Sequence, residues 1–195
     1  MGLLTEIDSR LREFIEAQQM FFVATAPSGP GGRVNVSPKG IDCLRVLGPK
    51  TVAYGDYPGS GVETIAHLRE NGRITVMLCA FNGPPRIVRL HGQGEVIEPQ
   101  DAGFQELRFQ LGEEALPTRS IIRVEIERVS DSCGYGVPLM EFKEHRTQLT
   151  RWAERKGAEG IRDYERAKNA RSIDGLKGLR WVELEKFEVQ KPEES

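Results

Sequence analysis

The sequence predicts a mainly β protein with helices: a small antiparallel barrel of about six strands, Greek-key-like in its connections, with helices at both ends. Three observations predict it. Short apolar runs alternate with turn residues such as Pro27–Gly32, Gly48-Pro49 and Asn82–Pro85. Ile122, Val124 and Ile126 alternate with Arg123, Glu125 and Glu127, the pattern of an antiparallel strand with one wet face. Long helical periodicities are few and sit toward the ends. With 195 residues one sizeable core is expected, as a barrel over residues 1–138 carrying a helical extension and tail over residues 139–195.

Element by element, Leu4, Ile7, Leu11, Phe14 and Ile15 recur at helical spacing, so residues 3–18 read as an amphipathic helix. Residues 20–26 are apolar and β-prone, and residues 33–37 alternate as a half-buried strand does. Residues 43–47 and 51–54 give two more strands across Gly48-Pro49. Ser60 and Glu63 have the spacing of a capping box, opening a helix through Val62, Ile65 and Leu68 that ends at Asn71-Gly72, a left-handed cap. Residues 74–81 form a continuous apolar strand. Residues 86–97 return after Pro84-Pro85, with Gly92 and Gly94 suited to a bulge. Phe104, Leu107 and Leu111 mark a short helix, residues 140–170 are charged and helical, and residues 181–184 read as a last strand.

Composition excludes several classes. Hydrophobic residues make up 38% and charged residues 29%, with a net charge of −2; a duplex-binding protein shows a basic excess, so no nucleic acid is expected. Cys43, Cys79 and Cys133 form no CxxC pair, which suits three reduced thiols in a cytoplasmic protein. Glu6 and Asp8 interrupt any export signal, and no run approaches the ~18 apolar residues of a membrane span. The histidines at 67, 91 and 145 lack metal-ligand spacing, so no metal is expected. His67, mid-helix, reads as a surface or half-buried histidine, and Cys133 has no neighbouring base to make it a nucleophile. Gly134 and Gly136 on either side of Tyr135 suggest a sharp turn or a close backbone approach.

The chemistry-bearing segments come in a fixed order: Arg33-Val34-Asn35-Val36-Ser37-Pro38-Lys39, then Val52-Ala53-Tyr54-Gly55-Asp56, then Arg69-Glu70-Asn71-Gly72-Arg73, then residues 74–81, then Arg86-Ile87-Val88-Arg89-Leu90-His91-Gly92. Over roughly residues 15–130 this order resembles the flavin-binding split barrel of the pyridoxamine 5'-phosphate oxidase family. The resemblance implies FMN held by the strand from Arg33 to Lys39, by the turn at Tyr54 to Asp56 and by the helix start at Ser60 and Thr64. It also implies that Arg86 or Arg89 reaches a partner subunit's flavin in a homodimer. The vitamin B6 enzyme itself has a Ser-Arg-Lys run before the helix, where this chain has Ser60-Gly61-Val62. Its tryptophan-containing basic C-terminal segment has no counterpart either, so the chain resembles the wider family.

FMN ends in a phosphate with nearly two negative charges, which wants helix-end amides and one or two cations. Arg33 and Lys39 supply charge; Ser60 and Thr64 supply donors; Asn35 and Ser37 point the same way on one strand, toward the ring's polar edge. A cation or amide near the flavin's N1/O2 edge favours its reduced form. Arg33 and Lys39 are equally readable as solvated strand-end charges, and Ser60 as a helix cap alone. Arg86 and Arg89 lie on opposite faces by parity, so at most one faces a given pocket. The expected activity is an FMN-dependent oxidoreductase acting on a small molecule. The alternatives are a flavin- or heme-binding protein without turnover, or a deazaflavin-dependent reductase of the same fold.

Overall fold

In a computed structural model describing residues 3–112 and 117–189, the β residues form one curled antiparallel sheet. Its strands are β1 (Leu3–Leu4), β2 (Phe21–Thr25), β3 (Asn35–Lys39), β4 (Leu44–Gly48), β5 (Thr51–Asp56), β6 (Arg73–Cys79), β7 (Ile87–Ile97) and β8 (Ser120–Ser132). The order across the sheet is β3-β2-β6-β7-β8-β5-β4, with β1 pairing β8 beside this path. The expected six strands are therefore eight among the described residues, seven of them forming the half-barrel. The helices are α1 (Ser9–Glu16), α2 (Glu63–Asn71), α3 (Phe104–Leu111), α4 (Gln148–Lys168) and α5 (Arg180–Val189).

The concave face holds the core: Val23, Val52, Tyr54, Val76, Val88, Leu90, Val124 and Val129 are fully buried, with Ile65 of α2 among them. Each such aliphatic side chain contributes roughly 1.5–3 kcal/mol by leaving water. Alternation explains the strands: β2 buries every second residue, and β8 alternates from Ile122 to Glu127 as its sequence requires.

β7 needs its glycines. The pairing with β8 shifts register between His91 and Gly92, and a Cβ on Gly92 would run into the Glu125 carbonyl oxygen. A Cβ on Gly94 would lie 2.7 Å from Leu68 Cδ2, so Gly94 is where α2 settles onto the strand. Gly72 closes α2 at φ 71°, with its amide bonded to the Leu68 carbonyl at 2.9 Å, as Asn71-Gly72 predicts.

Several local expectations are corrected. The first helix starts at Ser9, not residue 3, because Asp8 accepts from the Leu11 amide at 2.7 Å and caps it there, leaving Leu3 and Leu4 to pair with β8. Ser60 does not cap α2: the helix begins at Glu63 after Val62, with no side-chain cap, and the Glu63 carboxylate accepts instead from the Ile173 amide at 3.1 Å. Residues 140–147 are not helical, and α4 is broken at Gly157, whose φ of 65° no helix accommodates.

Residues 181–184 belong to α5 rather than a strand. The buried Glu98 carboxylate explains this, accepting from the Arg180 amide at 3.1 Å and the Trp181 amide at 3.4 Å. A carboxylate beside the first-turn amides satisfies donors that a helix start leaves open. His67 is fully buried, not a surface residue, because α2 lays that face against β2. At Gly134 the expected close approach is real, a Cβ there lying 2.8 Å from the Arg86 amide nitrogen, while Tyr135 is exposed.

Candidate functional site

β3 is an edge strand whose alternate residues face opposite ways. Asn35, Ser37 and Lys39 turn toward the split in the barrel; Val34 and Val36 turn outward and are exposed. Across the split lie the end of β5 and the first turn of α2. Lys39 Nζ donates to Asp56 Oδ1 at 2.8 Å and sits 5.9 Å from the centre of the Tyr54 ring. Asp56, fully buried, also accepts from Arg119 Nε at 2.7 Å and Ser120 Oγ at 3.4 Å through Oδ2. Arg119 continues to the Gly59 carbonyl at 3.2 Å and Asn169 Oδ1 at 3.0 Å.

The electrostatics follow from burial and pairing. Burial alone would raise the Asp56 carboxyl, but Arg119 and Lys39 outweigh it and hold the group at about 2. The Lys39–Asp56–Arg119 cluster carries one net positive charge, and Lys39 is its half-buried end, at 21% side-chain exposure. Burial first, then the neighbouring Asp56, pushes the Tyr54 phenol well above its ordinary value.

A second chain of polar groups runs inward from β3. Ser37 Oγ donates to Asn35 Oδ1 at 3.1 Å; Asn35 Nδ2 donates to Thr64 Oγ1 at 3.0 Å and Thr25 Oγ1 at 3.2 Å; Thr25 Oγ1 lies 3.0 Å from His67 Nδ1. Burial lowers the His67 imidazole below its usual value. Here His67 Nε2 and the Tyr54 hydroxyl are buried with no hydrogen-bond partner among the described residues. Such orphans are costly, which marks this end of the barrel as more than packing.

Of the sequence-derived candidates, Asn35, Ser37, Lys39, Tyr54, Asp56 and Thr64 come together here. Tyr54 and Asp56 are fully buried, so they act on Lys39 from beneath and present no open surface of their own. Arg33 lies apart: its amide donates to Asp174 Oδ2 at 2.8 Å and its guanidinium pairs with the same carboxylate. Ser60 is exposed and precedes the helix. Arg86 pairs with Asp131 at 2.6 Å and covers the Phe14 ring at 4.6 Å, and Arg89 donates to Ser132 at 3.2 Å. Neither touches the Lys39 group within this chain.

Thr25, His67, Arg119 and Asn169 are site residues that the sequence reading missed. Arg119 had one usable signal: it immediately precedes β8, whose Ser120 lies opposite Asp56 in the ladder, so an acid and a base meet at one sheet end. Asn169 had none, lying 50 residues from Arg119 beyond a helix.

Comparison with known proteins agrees with this architecture. The family profile described as pyridoxamine 5'-phosphate oxidase matches residues 7–133. The pyridoxamine 5'-phosphate oxidase family protein ustO of Aspergillus flavus is 41% identical over 189 residues, covering 89% of this chain and 76% of its own. Among solved structures, HupZ of Group A Streptococcus superposes with a TM-score of 0.53 at 20% identity, covering 64% of this chain and 93% of HupZ. A candidate pyridoxamine 5'-phosphate oxidase of Lactobacillus delbrueckii does so with a TM-score of 0.52 at 19% identity, covering 67% of this chain and 99% of its own. At that identity the two structures speak for the fold alone. On the profile match, the ustO relationship and the half-barrel together, this chain belongs to the pyridoxamine 5'-phosphate oxidase family.

Proposed function

We propose that this protein is an FMN-dependent oxidoreductase that acts on a small molecule as a homodimer. The observation that carries this reading is the convergence of Asn35, Ser37 and Lys39 with Thr64 over a buried Asp56–Arg119 pair. The donors fit a flavin phosphate: the half-buried Lys39 ammonium and the Thr64 hydroxyl, which accepts from Asn35 and keeps its own proton to give, in a cluster left with one positive charge. FMN, when bound, supplies the two-electron redox chemistry. Lys39 would hold the phosphate, and Asp56 would fix the position of its ammonium from below. Asn35, with both amide hydrogens given to Thr25 and Thr64, would position Ser37, whose hydroxyl could turn from Asn35 to the polar ring edge.

Arg33, tied to Asp174, would contribute only long-range charge, and Ser60 would meet the phosphate only from the loop before α2. The dimer reading rests on β3, an edge strand with Val34 and Val36 exposed at 70% and 61%. An open edge with an apolar face favours a second chain, and in such a dimer Arg86 or Arg89 would reach the partner's flavin.

The test is a visible spectrum of the purified protein, followed by flavin titration of the parent and Lys39→Ala. Expected are the flavin doublet, bleaching by NADPH with reoxidation in air, and a loss of about 1.5–3 kcal/mol of FMN binding in the variant, the scale of hydrogen bonds to charged groups. Equal FMN affinity of parent and variant would overturn the placement. A Soret band without the doublet would favour the heme-binding alternative, and reduction by a deazaflavin alone would favour the third. A monomeric mass in light scattering would remove the dimer.

A further inference from the structure

Outside the Lys39 group, the structure holds a cleft of about 810 Å³ between the barrel and the C-terminal helices. The volume is that of a small-molecule site. Its walls are largely apolar: Pro58, Pro99 and Pro117 line it from loops of the barrel, Ile161 from α4, and Trp181 and Leu184 from α5. Proline has no rotamer freedom to lose when a ligand settles on it, so these walls favour an apolar ring. The α4 and α5 wall lies beyond the residues that the family profile matches.

Two polar groups in this cleft have bonds left to make. Glu165 is only 6% exposed, yet among the described residues no hydrogen bond or ion pair reaches its carboxyl. Arg119 commits Nε to Asp56 and Nη1 to Gly59 and Asn169, while Nη2 makes no hydrogen bond among the described residues. The Arg119 charge acts on Glu165, but the two side chains form no hydrogen bond or ion pair with each other. Arg108, Thr118 and Arg162 also line the cleft; each has a partner of its own and none is needed here.

The pairing of an open donor with an open acceptor selects the ligand. A ligand carboxylate would accept from Arg119 but set two carboxyl groups together. A ligand ammonium would meet Glu165 but face the guanidinium. A neutral group with an N–H beside a C=O satisfies both: its oxygen accepts from Arg119 Nη2 and its N–H donates to Glu165. The match holds in either protonation state of Glu165, because a carboxylate and a neutral carboxyl both offer an acceptor oxygen.

We propose that this cleft is a second binding site, for an uncharged and mainly apolar ring with a lactam edge, whose carbonyl is held by Arg119 and whose N–H is held by Glu165. The proposal does not rest on the flavin reading, since Arg119 serves Asp56 through Nε and the cleft through Nη2.

The test is calorimetric titration of the purified protein with carbostyril, a bicyclic lactam, at about pH 7 with and without saturating FMN. The parent should bind it saturably, and FMN should leave that affinity unchanged. N-methylcarbostyril keeps the ring and the carbonyl but has no N–H, so it should bind at least about tenfold more weakly, with the buried acceptor left unmatched. Glu165→Leu should weaken carbostyril by about tenfold or more, whereas Glu165→Gln, whose amide oxygen still accepts, should stay within a few-fold of the parent. Ala158→Trp fills the cleft from an exposed helix position and should abolish binding. No saturable binding by the parent, equal affinity for the methylated probe, competition by FMN, or undiminished binding by Glu165→Leu or Ala158→Trp would each overturn the proposal.

Discussion

Replacing Asp56 with asparagine removes the negative centre that Lys39 and Arg119 share and leaves two cations facing each other in the barrel wall. Asp56 is fully buried, and its partners stand at 2.8 and 2.7 Å. Breaking a buried pair of this kind costs about 3–5 kcal/mol, mostly from the charges left uncompensated. Part of that loss must depend on pH. A carboxyl held at about 2 rather than its ordinary 3.8 contributes roughly 2.5 kcal/mol near neutrality, at about 1.4 kcal/mol per pKa unit. Because the folded value is the lower one, this stability is complete above 3.8 and disappears as pH falls through about 2. By about pH 3 the share lost is roughly 1 kcal/mol. Urea denaturation of parent and Asp56→Asn at about pH 7 and about pH 3 measures both quantities. The gap between the proteins should be largest at neutral pH and smaller in acid. Equal stability at pH 7, or a gap unchanged in acid, would refute the reasoning that this pair organises the site.

Gly92→Ala places a methyl group in the Glu125 carbonyl and should cost about 1–3 kcal/mol or more by thermal or urea unfolding. Gly72→Ala forces a side chain into φ 71° and should cost about 1–2 kcal/mol in the same measurement. Arg33→Ala removes an ion pair whose arginine is 65% exposed, and its stability should stay within about 0.5 kcal/mol of the parent. His67 is held below its usual value of 6.5, so it stabilises the fold fully above that value and less as pH falls beneath it. His67→Gln should therefore lose less stability than the parent between about pH 7 and about pH 5.

The barrel was legible because its signals are local. Alternation in β8 and the turn at Asn71-Gly72 are each decided by neighbours a few residues away. The polar face of β3 was legible for the same reason: Asn35, Ser37 and Lys39 share a side by parity. What failed was decided at a distance. Ser60 and Glu63 have the spacing of a capping box, but the Ile173 amide, 110 residues on, claims the glutamate. Residues 181–184 read as a short strand, but Glu98 accepts from the Arg180 and Trp181 amides and so favours a helix start there. Asn169 carries no pattern of its own, and only the fold brings it to the Arg119 that holds Asp56.

The C-terminal segment also bears on how much of this chain forms an independent folding unit. Leu179 and Val182 belong to the main core, Asn169 donates to the Gly59 carbonyl at 2.9 Å, and the wholly buried Glu98 counts Arg180 among its partners. A protein ending at residue 138 would keep every strand of the half-barrel and lose all of these contacts. Glu98 would retain Arg69 but lose the α5 amides, and the Asp56–Arg119 pair would stand open to water from the Asn169 side. The strands alone would thus form a different thermodynamic object, with a buried acid half compensated and part of its core gone. Fragments drawn to the limits of the profile match would report on that object, and comparisons across relatives need the segment through α5 to concern the same fold.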